Sequence, residues 1–210
     1  MVSLDELITS RRSIRKYKKE IPDETQIRKM IYCATFCPSP SNIQPVRFVR
    51  IRSQEMRDKL GQEMIRGRDR LLEKLAATDD SRRLKNTIHA YFRFSEFMVD
   101  APVLMAVGTI NGTESFSKKL HVARIIEQDV RRERDLDISV GLSLKVLLLK
   151  AREFGLGACI LSAPLTFVPD IGQVLGVADI TIKCFLTIGF PDESPRFIER
   201  KKIDEIYQEL

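Results

Sequence analysis

The 210-residue chain has no tryptophan, only two histidines and only four cysteines, and each scarcity closes off a class of chemistry. His89 and His121 stand apart from any fixed carboxylate or cysteine spacing, which argues against a histidine-based metal site. Cys33, Cys37, Cys159 and Cys184 form no C-x-x-C pair and no zinc-like array. Cys33 and Cys37 would share one helical face, but the expected role of all four is that of small buried residues in an intracellular protein. Aromatic residues make up 7% of the chain and no RNA- or DNA-binding motif is present, so the formal net charge of +6 does not read as a nucleic-acid footprint. The bases are interspersed with acids, as in Arg131-Arg132-Glu133-Arg134-Asp135-Leu136-Asp137, the usual pattern of a solvated helix face. Long apolar runs are also missing. Val140 to Leu149 is interrupted by Ser143 and Lys145 and is too short to span a bilayer. Ser3-Leu4-Asp5-Glu6 becomes charged almost at once, so no secretory segment is expected. With no repeat, low-complexity stretch or linker, residues 1–210 are expected to form one soluble, cytoplasmic domain with no membrane or nucleic-acid partner and no metal.

The periodicities that are present predict alternating helices and strands. Leu4 to Thr9 reads as a short helix capped by Ser3. Pro22 suits a first helical turn, and Ile27, Met30, Ile31 and Ala34 follow at helical spacing until Pro38 forbids continuation. Val46 to Ile51 alternates apolar and basic residues as a strand does. Residues 54–75 and 81–99 have apolar positions at i, i+3 and i+4. Val103 to Ile110 is a continuous apolar run, expected as a central strand. Asp137 to Phe154 is apolar on nearly every face, which predicts a deeply buried or subunit-shared helix ended by Gly155. Ala158 to Leu161 and Ile180 to Ile188 read as further strands, with a short helix near Ile171 to Leu175. The 191–210 tail is expected to finish in a short amphipathic helix. Together these predict an α+β protein, a three-layer α-β-α sandwich.

Two short motifs carry the chemistry. Arg11-Arg12-Ser13-Ile14-Arg15 concentrates guanidinium groups around a hydroxyl, a combination that suits phosphate. On its own it reads as an exposed basic turn. In an extended segment Arg15 lies on the same side as Ser13, where a cation could reach a ring system beyond the phosphate. About 25 residues on, Pro38-Ser39-Pro40-Ser41-Asn42-Ile43-Gln44-Pro45 holds neutral donors and acceptors between three prolines that restrict the backbone. A surface turn would also use Pro, Ser and Asn, but would not require Asn and Gln at this spacing. The pair points to a phosphorylated, ring-bearing cofactor, of which flavin mononucleotide fits best.

At these residues the chain resembles the nitroreductase family of flavin-dependent oxidoreductases. Arg11, Ser13 and Arg15 match an Arg-x-Ser-x-Arg/Lys segment, and Pro38, Ser39, Asn42, Gln44 and Pro45 match a Pro-Ser-x-x-Asn-x-Gln-Pro loop. Gly155-Leu156-Gly157-Ala158-Cys159 matches a Gly-Leu-Gly helix end leading into a strand. Ile188-Gly189-Phe190-Pro191 matches an Ile-Gly-Phe/Tyr-Pro strand end. The resemblance departs at Val46 and Ile160, where relatives often carry an aromatic residue.

What the resemblance implies is a homodimer with a mostly antiparallel central sheet, helices on both faces and FMN in the subunit interface. Arg11, Arg12, Ser13, Arg15 and Arg200 (or Lys202) would come from one subunit, and Pro38, Ser39, Asn42 and Gln44 from the other. Leu161, Ser162 and Ala163 would lie beside flavin N5, and the 137–154 helix would form the dimer core. Residues 54–100 would be the lid, with Phe92, Phe94 and Phe97 serving either the helix core or a substrate. The implied activity is hydride transfer from NADH or NADPH to the flavin, then ping-pong reduction of a nitroaromatic, quinone or similar acceptor, with no catalytic side chain required. Dehalogenation or fragmentation of the flavin are alternatives within the same fold. A flavin-binding or storage protein without turnover is an alternative from another class.

Overall fold

The computed structural model describes residues 2–76, 81–112, 116–128 and 131–210. Four strands, β1 (Val46–Arg50), β2 (Val103–Ile110), β3 (Gly157–Leu161) and β4 (Ile180–Gly189), form one sheet in the order β1-β2-β4-β3, with every neighbouring pair antiparallel. The apolar runs become the two inner strands, and the shorter β1 and β3 take the edges. Alternation along β2 sends Val103, Met105 and Val107 into one core and Leu104 and Ala106 into the other.

Among the described residues eight helices fill the outer layers: α1 (Leu4–Ser10), α2 (Glu24–Ala34), α3 (Gln54–Ala76), α4 (Ser81–Glu96), α5 (Phe116–Val122), α6 (Arg131–Glu153), α7 (Pro164–Phe167) and α8 (Ile171–Leu175). On one face α2 and α6 contribute Ile27, Met30, Val140, Leu144 and Leu147 to a core with β2 and β4. On the other, α3, α4, α7 and α8 contribute Leu60, Met64, Phe92, Phe167 and Ile171. This is the expected three-layer sandwich. Ser3 caps α1 as predicted, accepting from the Glu6 N–H at 3.1 Å. α5 and α7 had no counterpart in the sequence reading.

Five expectations are corrected. Pro22 lies outside α2, because Asp23 caps that helix by a reciprocal arrangement: Asp23 Oδ1 accepts from Thr25 N–H, and Gln26 Oε1 accepts from Asp23 N–H. The helical stretch from 81 gives way after Glu96 to a single 3₁₀ turn, Phe97–Asp100, ahead of β2. α6 begins at Arg131, six residues before Asp137, since its first turns are charged and show no apolar period. Lys183 of β4 anchors that end through Glu133 (2.6 Å) and Asp137 (3.0 Å). Nor is α6 apolar on all sides: Leu136, Val140, Leu144 and Leu147 face inward, while Ile138, Gly141, Leu142 and Lys145 are exposed. Finally, the tail forms only a 3₁₀ turn, Ile203–Glu205, with Ile203, Ile206 and Tyr207 all exposed. Their spacing suits a helix, but nothing in the chain packs against them, and so short a helix is unstable alone.

The segment after α1 docks on the β3 edge. Ser13 forms a parallel bridge with Ala158, and the Ile14 N–H donates to the Ala158 carbonyl at 3.1 Å. Tyr17 then bridges Pro191, with Lys18 N–H donating to Phe190 O and Asp192 N–H to Lys16 O, both at 2.9 Å. Gly157 permits the approach, because a Cβ there would lie 2.5 Å from Ile14 Cγ1. Gly189 does the same for the Tyr17 ring, 2.8 Å from a Cβ built at that position. Gly157→Ala should therefore lower stability by about 1–3 kcal/mol, the usual cost of overpacking. A thermal melt checks this, and an unchanged midpoint would contradict the close docking.

Candidate functional site

Docking on β3 fixes the direction of every side chain in the basic motif. Ile14 is buried and Ser13 pairs with Ala158 at the start of β3, with Arg11 and Arg12 just ahead of that bridge. Arg11, Arg12 and Arg152 share a cavity of about 440 Å³ with Ser10, Glu193 and Phe197. Burial pushes the Arg11 guanidinium below its ordinary pKa, and the charges of Arg200 and Arg12 push it in the same direction. A cation depressed by its cationic neighbours and not matched by a carboxylate is a place where an anion is stabilised.

Each neighbour is held by a different device. Arg12 donates from Nη1 to the carbonyls of Thr9 and Arg11, at 2.7 and 2.8 Å, and lies 5.0 Å from the centroid of the Phe197 ring. The Ser13 hydroxyl contacts the Cys159 thiol, whose pKa is raised by burial and held back by Arg15, Ser13 and Arg11. Arg15 extends outward to lie 6.0 Å from the Phe94 ring centroid. Arg200 is exposed on the tail with its charge acting on Arg11, whereas Lys202 is exposed and its N–H donates to Glu205 Oε1 at 2.9 Å.

Three further residues shape this end of the molecule, and the sequence reading missed them. Glu193 accepts from the backbone N–H groups of Arg15 and Lys16, which sets the path of the motif. The Tyr17 hydroxyl donates to the Ile14 carbonyl and shares a 2.8 Å hydrogen bond with Thr187 Oγ1; burial raises its pKa. Arg152 donates from Nε to Ser10 Oγ at 3.2 Å and adds a cation to the cavity. A basic last turn of α6 was visible in the sequence, but nothing there linked it to Ser10. Glu193 carried no local signal at all.

The second motif folds as a compact turn. Asn42 N–H donates to Ser39 O at 2.9 Å, Ile43 N–H to Pro40 O at 3.1 Å, and Gln44 N–H to Ser39 Oγ at 2.9 Å. Gln44 Nε2 donates to Asn42 Oδ1 at 3.2 Å, so the two amides orient each other. Ser41, Asn42 and Gln44 all have positive φ, at 49°, 54° and 45°. Asn tolerates this region, whereas Ser and Gln are strained there by about 1 kcal/mol or more each. Strain of this kind gathers at ligand-holding loops. Pro38, Ser39 and Gln44 border a cavity of about 250 Å³ with Cys37, Ser139 and Ser143, while Asn42 stands exposed.

The two motifs do not meet within one chain. The loop enters β1 at Val46, which pairs with Thr109 on β2, whereas Ala158 beside Ser13 pairs with Ile188, which pairs with Val103. They therefore sit on opposite edges and at opposite ends of the sheet, about 19 Å apart across the strands and about 20 Å along them.

Leu161 is buried at the end of β3, and Ser162 and Ala163 lead into α7. Ser162 and Ala163 help to wall a cavity of about 440 Å³ with Leu71, Ile88 and Tyr91 of the α3–α4 pair. Residues 54–100, expected as a lid, hold the packed helices α3 and α4, and residues 77–80 lie outside the described residues. Its phenylalanines divide. Phe92 is buried and meets Phe167 edge-on at 5.6 Å, Phe97 packs near Tyr17, and Phe94 is exposed beside Arg15. Among the described residues no group of three His, Cys, Asp or Glu could hold a metal ion, and no helix is long and apolar enough to cross a membrane.

A model of the nitroreductase family matches residues 8–190. YfhC of Bacillus subtilis, whose name gives it as an NAD(P)H nitroreductase, is 25% identical over 210 residues, covering 99% of this chain and 94% of that protein. The 5,6-dimethylbenzimidazole synthase of Rhodospirillum rubrum is 27% identical over 206 residues, covering 95% and 87%. Among solved structures, a BluB-like flavoprotein from Clostridium difficile superposes with a TM-score of 0.83 over the whole of both chains at 23% identity. The fold is the one these proteins share, and the match across 8–190 takes in both motifs, both glycine-marked strand ends and helices α3 and α4: the chain belongs to the nitroreductase family.

Proposed function

We propose that the protein is an FMN-dependent oxidoreductase that works as a homodimer, each FMN held between the basic motif of one chain and the 38–45 loop of the other. The observation that carries this reading is the placement of the motifs at opposite corners of one sheet. Each is a partial site, one supplying cations and the other neutral amides, and a second copy of the chain supplies the missing half. The exposed Ile138 and Leu142 on α6, Tyr32 on α2 and Phe36 just beyond it give that copy an apolar surface to cover.

The residues present suit the cofactor. Arg11, Arg12 and Arg200, with Ser13, would hold the phosphate, setting a dianion beside an Arg11 guanidinium whose charge is disfavoured by burial and by its two cationic neighbours. Arg15 would set a positive charge toward the ring, favouring electron-rich flavin. Asn42 and Gln44, with Pro38 and Ser39 behind them, would present donors and acceptors to the ribityl hydroxyls and pyrimidine edge from a loop whose strain is already met in the folded chain. Leu161, Ser162 and Ala163 would lie near the reactive edge. Bound there, FMN supplies the redox chemistry: hydride from NADH or NADPH onto N5, then electrons to a nitroaromatic, quinone or similar electron-poor acceptor in ping-pong order. A second reading, flavin fragmentation, is favoured by the likeness to 5,6-dimethylbenzimidazole synthase over 95% of the chain.

The purified protein should be yellow, bleach anaerobically with NADH or NADPH and regain colour with acceptor. Colour that persists with both donors would sink the oxidoreductase reading, and loss of flavin under oxygen with a new benzimidazole product would replace it with the second. Arg11→Ala should weaken FMN binding roughly 10- to 100-fold, the value of one charge-assisted hydrogen bond, measured by fluorescence titration. A heterodimer of one Arg11→Ala chain and one Asn42→Ala chain should hold one FMN tightly, because one site receives both intact halves and the other neither. Two equally weakened sites in that heterodimer would show that the motifs are not shared across subunits.

A further inference from the structure

Arg57 is nine-tenths buried and bonds no carboxylate among the described residues. Its Nε donates to Ile51 O at 3.1 Å, and its Nη1 donates to Val99 O at 2.9 Å and Ala101 O at 2.6 Å. These three carbonyls tie α3 to the end of β1 and the approach to β2. They leave Nη2 with no acceptor among the described residues. A guanidinium nitrogen without a protein acceptor on a mostly buried side chain calls for one from water or a ligand in the cavity it faces.

Arg57 forms part of the wall of a cavity of about 690 Å³, on the Tyr17 side of the docked segment. Lys18, Lys19, Arg50 and Arg52 also line it, against two carboxylates, Glu24 and Asp100. Glu24 is already shared by three guanidinium groups, with Arg50 at 2.5 Å, Arg52 at 2.6 Å and Arg28 at 3.5 Å. Lys18 and Lys19 make no side-chain hydrogen bond or ion pair among the described residues. Burial and the neighbouring Arg50 both push the Arg57 pKa down, and Asp100 offsets this only in part. The cavity therefore has a surplus of positive charge and three uncommitted sets of donors, on Lys18, Lys19 and Arg57. It shares no lining residue with the cavity of Arg11, Arg12 and Arg152.

We propose that this cavity is a second anion site, separate from the FMN site, which takes a phosphate group as the free ion or as a monoester. Several cationic donors arriving from different elements match a tetrahedral oxyanion better than a planar carboxylate. The volume exceeds what a lone ion fills and lies within the range of organic ligand pockets, so a phosphorylated small molecule can enter with its body toward Ile21 and Pro102. The site does not depend on the flavin assignment, since none of its residues belongs to either motif.

The test is calorimetric titration of the FMN-saturated protein, or of the protein as purified where FMN does not bind, with inorganic phosphate and with phenyl phosphate. Wild type should bind saturably, and Lys18→Ala/Lys19→Ala should bind about tenfold or more weakly with an unchanged melting midpoint, because both side chains are exposed. Arg11→Ala should bind as wild type does. Tighter binding of phenyl phosphate identifies an ester ligand, and tighter binding of inorganic phosphate identifies the free ion. Absence of saturable binding by wild type overturns the proposal. So does binding that survives in the lysine variant, or that is lost only in Arg11→Ala, since the anion would then occupy the other basic cavity.

Discussion

The pairing of residues 13–18 with the β3 edge and the 190–192 strand end is the constraint on which the basic end of the molecule depends. Backbone bonds at Ile14, Lys18 and Asp192 fix the path, and the Ile14 side chain fixes the rotation by entering the core beside Gly157. An extended chain alternates its side chains, so burying Ile14 necessarily presents Ser13 and Arg15 on the other side. Three neighbouring arginines would otherwise repel one another into solvent. Here the cost of holding cations together is met by sheet-edge pairing and by Glu193, which accepts from the backbone N–H groups of Arg15 and Lys16.

The inner strands and the core helices were legible in the sequence because burial leaves a period. Val103 to Ile110 and Ile180 to Ile188 are dominated by apolar residues, and the α8 span of Ile171 to Leu175 was read correctly. Where the period is absent, reading failed. The first two turns of α6 are charged, and their helicity rests partly on Lys183, which is 50 residues distant from Glu133. The tail erred the other way: its spacing is helical, but a helix of that length needs a surface to lie on, and the single chain provides none.

The candidate site was legible to a similar degree. Arg11, Arg12, Ser13 and Arg200 are brought together, and Asn42 and Gln44 orient each other within their loop. The separation of the two groups is a matter of strand order, which no local pattern encodes. The supporting shell was hidden for the same reason. Glu193, Tyr17 and Arg152 act through residues far along the chain, so only the folded geometry connects them. Arg57 is the extreme case, an arginine at an ordinary helical position whose partners are three carbonyls from two other segments.

The docked segment has one more consequence, for the way the protein avoids self-association. An uncovered strand edge is a row of unpaired backbone groups that can template pairing with another chain. On β1 that edge is short and carries Arg47 and Arg50. On β3 the cover is the basic motif itself, so the residues that would bind the ligand are also the ones that close the sheet. Detachment of residues 13–18 would then do two things at once. It would scatter the cations, and it would expose Gly157 to Leu161, a small and apolar strand with no charge of its own to discourage addition of a neighbour.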